Sequence, residues 1–186
     1  MGKQYRPTWT TPIETEVFEL AKYHGGLKPI KKGGGLFTHT LRLKANDGKQ
    51  YVMRSVNKDF FKAVPKEIRH LDILQLYVDQ NAASIPYGAM YVAALSEHAN
   101  VYHTRPEVVY LSDTEQLGPF APFFPAGHYI LEARPNGDWS GTGLFGDSED
   151  IMGFNDLLFT LRKKTMHFVD QRWVLKSRLF LSLIHI

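Results

Sequence analysis

Three consecutive glycines, Gly33, Gly34 and Gly35, form the first pattern in the chain that could do chemistry. Glycine lets backbone N–H groups come close to phosphate oxygens, and the hydroxyls of Thr38 and Thr40 could add donors. The segment lacks the Gly-Lys-Ser/Thr ending of a P-loop. A strand pattern also follows it, where a dinucleotide-binding turn leads into a helix. The glycines therefore predict either a phosphate-covering turn between two strands or a plain turn.

A cation follows at a position from which it could reach such phosphates. Arg54 stands between Val52 and Val56 on one face of the next predicted strand. Protein kinases cover ATP with a glycine-rich turn and hold its phosphates with a lysine on the third strand. Arginine can grip phosphate through two parallel hydrogen bonds, so it can stand in for that lysine, although the exchange often signals altered or lost catalysis. An edge-strand arginine in solvent is the alternative.

Acidic residues on the following helix could orient this cation. Glu67 and Asp79 are the two candidates, and Asp72 is a third. In kinases a glutamate from the helix after the cation strand forms an ion pair with the lysine. Acids on a helix surface are usually only solvated, so this alternative stays open for each of them.

A later apolar strand, 129–131, runs into a linker at 132–135. In kinases such a step from strand to linker carries the backbone groups that contact adenine. Leu131, Glu132 and Ala133 are therefore predicted to border the base. An ordinary strand end would give the same pattern.

The elements that must position these residues follow from hydrophobic periodicity. Apolar residues alternate over 37–43 and again over 51–56, and Asn46-Asp47-Gly48 between them favours a hairpin turn. The remaining predicted elements are helices at 66–83 and 89–98, strands at 107–111 and 128–133, and helices at 155–164 and from 170 onward. A β-rich first part followed by helices favours an α+β fold.

Composition narrows the function classes. The chain has 186 residues, is 44% hydrophobic and carries a net charge of +3, which is too weak to argue for nucleic acid. The absence of cysteine excludes disulfides and cysteine-based zinc sites, and the histidines show no paired metal-binding spacing. No apolar run approaches the length of a membrane span, and the polar start shows no signal peptide.

Five segments in collinear order resemble one family, and together they cover most of residues 3–180. They are KKGGGLFTHTLRL, GKQYVMRSVNKD, IPYGAMYVAAL, VYHTRPEVVYL and VDQRWVLKSRLF. They resemble an uncharacterised region of large outer-membrane-associated proteins from Bacteroidetes-type bacteria. Those proteins often pair a calcineurin-like metallophosphoesterase with a surface-antigen β-barrel. The resemblance implies a periplasmic or outer-membrane location and neighbouring domains of the same parent chain as partners.

In that family the segment matching RLF leads into an acidic Asp-Trp-Asp-Arg-His motif, similar to the catalytic segment of atypical kinases such as CotH and HipA. This chain continues instead with LSLIHI, which resembles the adapter read-through seen in metagenomic assemblies. We therefore expect a truncated fragment whose catalytic and metal-binding residues lie beyond its end. The intact parent would bind ATP with Mg²⁺ and transfer phosphate to a protein or envelope substrate, and the fragment would be inactive.

The resulting domain prediction has four parts. They are an N-terminal extension at 1–27, a kinase-like N-lobe of antiparallel hairpin plus helix at 28–135, the start of a helical C-lobe at 136–180, and an artefactual end at 181–186. The rival interpretation is a non-enzymatic scaffold in an envelope protein, with the aromatic loop 119–125 meeting a partner. An accessory domain of the neighbouring phosphoesterase is a third.

Overall fold

The computed structural model describes residues 5–33, 37–58, 64–74, 76, 79, 85–163 and 167–183. The strands in this part of the chain are β1 (Glu16–Val17), β2 (Leu27–Lys32), β3 (Thr40–Ala45), β4 (Gln50–Ser55), β5 (Glu107–Leu111) and β6 (Gly127–Ala133). The α-helices with defined bounds are α1 (Arg6–Thr10), α2 (Gly88–His98), α3 (Phe154–Lys163) and α4 (Gln171–Leu183).

The strands form one sheet in the order β1-β5-β6-β4-β3-β2. β1 runs parallel to β5, and the other neighbours are antiparallel. The α+β fold is therefore confirmed. The predicted hairpin is β3 and β4, with Leu43 opposite Tyr51, and the glycines do stand between two paired strands, β2 and β3.

The core lies on one face of this sheet. Alternation along β3 and β4 buries Leu41, Leu43 and Met53 fully on that face. Two other segments cover this face. Phe18 of the N-terminal segment and Leu117 of the short helical segment Glu115–Phe123 are both buried in the core cluster. Within the stretch 119–125, Phe124 is buried in the core cluster and Phe120 packs against it, whereas Phe123 is 47% exposed.

The helix predicted over 66–83 starts later than expected. Lys66–Ile68 forms a 3₁₀ turn, and α-helical residues begin at Asp72. The side chain of Arg69 donates a hydrogen bond to the Val64 carbonyl at 2.9 Å, which holds the chain in a tight turn here. No helix in the described ranges is long and apolar enough to cross a bilayer.

Candidate functional site on the polar face of the sheet

The glycine turn starts at Gly33, directly after β2 and beside Thr40 at the start of β3. The Gly33 N–H donates to the Thr40 carbonyl at 2.7 Å. A Cβ atom at Gly33 would lie 2.7 Å from the Thr40 Cγ2, so only glycine fits without displacing that side chain. The Thr38 and Thr40 hydroxyls are 3.0 Å apart on the same side. Gly34 and Gly35 lie outside the described residues.

Arg54 forms an ion pair with Glu132, on the neighbouring strand. In the register of β4 and β6, Val52 faces Glu132 and Arg54 faces Ile130, so the two charged residues are diagonal neighbours on the face opposite the core. The Glu132 side chain is 14% exposed and that of Arg54 is 47% exposed. Desolvation lowers the pKa of Arg54, but a guanidinium keeps its charge in proteins.

Both carboxylate oxygens of Glu132 have partners. One pairs with Arg54, and the other accepts a hydrogen bond from the Thr104 hydroxyl at 2.9 Å. Thr104 belongs to the extended segment that joins α2 to β5. The carboxylate is therefore fixed from two directions, and it in turn fixes the position of the guanidinium.

A cavity of about 300 Å³ opens beside Glu132, between the sheet and the helices α2 and α4. Its wall is mostly apolar, and Glu132 and Thr104 are among its polar groups. Its apolar lining includes Ala89, Val92, Ala93, Val101 and Phe180. A cavity of this kind can take a small, flat, mostly apolar group with a few hydrogen-bonding atoms.

The acids expected to orient Arg54 lie in the chain segment that follows β4. Glu67 is exposed in the Lys66–Ile68 turn, and Asp79 itself has a helical backbone conformation. The carboxylate that the structure places against Arg54 is Glu132, which the sequence assigned to the edge of the base site. Strand parity was the signal that could have found it, because alternation from buried Leu131 puts Glu132 on the opposite face.

Leu131 and Ala133 do not share the face of Arg54. Both are buried in the core cluster, so their side chains point away from it. At the end of β6 the Arg134 N–H donates to the Gln50 carbonyl at 2.8 Å, which extends the pairing with β4 by one residue. Of the three residues predicted to border the base, only Glu132 therefore has its side chain on the Arg54 face.

Another cavity, of about 360 Å³, lies against Tyr51 of β4 and Trp139 of the loop after β6. The His24 ring stacks on Tyr51 there, with centroids 3.9 Å apart. Partial burial lowers the pKa of His24, while Glu107 and Asp47 oppose that shift. Tyr51 and Leu131 in its lining are core-side residues, but Glu132 lines this cavity as well as the first one, so the two cavities meet at β6.

The described side chains contain no group of three or more His, Cys, Asp or Glu residues arranged to hold a metal ion. Comparison of the chain with protein-family models, curated proteins and solved structures gave no significant match. The function of this site must therefore be argued from its own geometry.

Proposed function

We propose that the chain binds the phosphates of a nucleotide such as ATP on the sheet face that carries Arg54. One observation carries the proposal. β4, which holds the cation, lies between β3, which follows the glycine turn, and β6, which leads into the linker. Neighbouring strands are about 4.8 Å apart, so Arg54 lies one strand from Thr40, next to the glycine turn, and one strand from Glu132 on β6. The linker after β6 begins at the level of Gln50, about 14 Å further along β4 than Arg54.

The ion pair supports a phosphate-binding role for Arg54. Kinases orient their lysine with a carboxylate from a helix, and Glu132 would do this from the adjacent strand. A guanidinium carries five N–H donors, so pairing with one carboxylate leaves donors for phosphate. Because Arg54 is about half exposed, those donors can be reached from solvent.

The cavity beside Glu132 would take the base. It is mostly apolar, as a pocket for a planar ring requires, and the Thr104 hydroxyl and Ser96 and Ser177 provide polar atoms at its wall. From there the path to the glycine turn passes Arg54 and then Thr40, its partner across β3 and β4. The phosphates would lie along that path.

Magnesium fits the described residues poorly. None of the acids near Arg54 belongs to a group of three possible metal ligands in the described ranges, so we assign them neither a metal nor a transfer step. The proposed role is nucleotide binding. Phosphoryl transfer, and a location in the periplasm or outer membrane, are the wider form of the proposal and depend on the resemblance alone.

Calorimetric titration of ATP, with and without Mg²⁺, tests the proposal. Arg54→Ala should weaken binding by about 10-fold to 100-fold, since a hydrogen bond to a charged group contributes about 1.5–3 kcal/mol. Arg54→Lys should fall between wild type and alanine. Lys22→Ala, which removes a cation paired with Glu19 elsewhere on the surface, is the matched control and should bind like wild type. Equal affinity of Arg54→Ala and wild type would contradict the role of Arg54.

A scaffold function is the second candidate, and the helices favour it. Phe154 is 71% exposed, Leu175 63% and Leu179 59%, so α3 and α4 present apolar surface to solvent. Leu175 and Leu179 are four residues apart and so share one face of α4, and exposed apolar faces mark docking sites for other proteins or domains. If ATP does not bind, and Leu175→Glu with Leu179→Glu converts a self-associating chain into a monodisperse one, the scaffold function is the better account.

A further inference from the structure

The half of the polar face formed by β2 and β3 carries an array of cations. Lys28 lies directly opposite Lys44, and Lys31 lies directly opposite Arg42. Residues directly opposite each other on antiparallel strands point to the same face. At the end of this face, the Arg134 Nη1 donates to the Gln50 side chain at 2.8 Å, and Gln50 is the partner of Lys44. We call these five cations the basic patch.

Acids do not balance the patch within the described part of the chain. The ion pairs recorded there are Lys22 with Glu19, Lys49 with Asp47 and Arg54 with Glu132, and none includes a member of the patch. Burial and then the charge of Arg42 lower the pKa of Arg134, which agrees with their closeness. Like charges directly opposite each other destabilise a sheet, so two such pairs side by side point to a ligand rather than to folding.

Protection of the sheet edge explains only part of the pattern. β2 is an edge strand, and lysines on an edge discourage pairing with other chains. β3, however, is paired on both sides, so Arg42 and Lys44 protect no edge. Their charge on that face requires another reason.

We propose that the basic patch binds an anionic lipid surface. Four of the five cations lie in two rows on β2 and β3, about 4.8 Å apart across the strands and about 6.8 Å apart along β3, and Arg134 joins them from the end of β6, which makes a two-dimensional array. A bilayer presents phosphates in two dimensions, whereas a nucleic acid presents them along a line. Their strand partners on β4, Gln50 and Val52, offer no aromatic ring for stacking a base.

An apolar group next to the patch agrees with this choice. Ile30 is 42% exposed at the irregularity of β2 between Pro29 and Lys31. Amphipathic helices that bind the interfacial region of a bilayer combine Lys and Arg with apolar side chains, and the patch with Ile30 offers the same combination on strands. The basic patch excludes Arg54, so this inference goes beyond nucleotide binding and stands independently of it.

Vesicle co-sedimentation at low salt tests the inference. Vesicles of phosphatidylcholine with about 30 mol% phosphatidylglycerol should bind the chain, and pure phosphatidylcholine should not. Each basic residue near such a surface contributes about 1 kcal/mol, or about fivefold in partitioning, so Lys31→Gln with Arg42→Gln should lower binding about 30-fold. Lys22→Gln with Arg162→Gln has the same net charge on other surfaces and should lose much less.

Two further measurements keep the result unambiguous. The melting temperature of the Lys31→Gln, Arg42→Gln protein should equal or exceed that of wild type, because a like-charge pair is removed, so lost binding cannot be ascribed to unfolding. Single-stranded and duplex oligonucleotides are titrated in parallel. The inference is overturned if both double variants bind vesicles equally, or if oligonucleotides bind more tightly than anionic vesicles and lose that binding with the patch.

Discussion

Replacing each member of the Arg54–Glu132 pair should destabilise the protein by different amounts. Glu132→Gln keeps an acceptor for the Thr104 hydroxyl and leaves Arg54 unpaired but 47% exposed, where water can solvate it. A charge-assisted hydrogen bond contributes about 1.5–3 kcal/mol, and exposed pairs contribute at most about 1 kcal/mol, so we expect a loss of about 1 kcal/mol.

Arg54→Met should destabilise more, by about 2 kcal/mol. It leaves the Glu132 carboxylate, which is only 14% exposed, with Thr104 as its remaining partner. A largely buried charge that loses its counterion is more destabilising than a half-exposed one, although the partial exposure here reduces the effect seen in fully buried pairs. The double variant should lose less than the sum, with a coupling of about 1 kcal/mol.

Urea unfolding of wild type, the two single variants and the double variant gives the two losses and the coupling, because the midpoint and slope together yield the free energy of unfolding. For a chain of this size each kcal/mol also shifts the melting temperature by about 2–4 °C, which provides an independent check. Coupling near zero, or a larger loss for Glu132→Gln than for Arg54→Met, would refute the reasoning from exposure.

Three other changes have defined outcomes. Gly33→Ala should lower the free energy of unfolding by about 1–2 kcal/mol because its Cβ would meet Thr40, and Thr40→Ser should recover part of that loss in denaturant titrations. Gln116→Ala should destabilise by about 2 kcal/mol in the same assay, since that side chain accepts one and donates two backbone hydrogen bonds. His24 has a lowered pKa, so wild type should lose stability as pH falls from about 6.5 through the folded pKa. His24→Asn, which tolerates the positive φ of 50° there, should flatten that loss in melting curves from about pH 7 to about pH 5, and an unchanged slope would contradict this assignment.

The local sequence pattern was sufficient to predict most of the strands in the sheet. Period-two alternation and a turn rich in Asn, Asp and Gly identify β3 and β4, and these features act over a few residues. β5 was predicted with the bounds that it has, and β6 lacked one residue at its start. Such strands are visible in sequence because their buried side chains repeat on one face.

Contacts between distant parts of the chain could not be predicted from the sequence pattern. Phe18 and Trp139 are both buried in the core, although one stands in a mostly polar N-terminal segment and the other in a loop of Gly, Ser and Asp. A single aromatic residue without periodic neighbours gives no signal of which surface it will cover. The two-residue strand β1 is below the length at which alternation can be recognised.

The candidate site could be predicted from the sequence only in part, for a related reason. The sequence pattern predicted roles for Arg54 and Glu132 separately, but it predicted that the partner of Arg54 would lie on the following helix. The ion pair depends on β4 and β6 becoming neighbours across a separation of more than 70 positions, and no local rule gives that pairing. The basic patch likewise arises only when the register of β2 against β3 is known.

Amide hydrogen exchange with and without ATP tests the central claim most directly, because it locates the ligand as well as detecting it. Binding on the Arg54 face should slow exchange at Gly33 and Thr40, near Thr104, and at the exposed end of the linker after β6. Arg54→Ala should abolish this protection. No protection, or protection confined to the cavity around His24 and Tyr51 on the other face, would contradict the proposed nucleotide site.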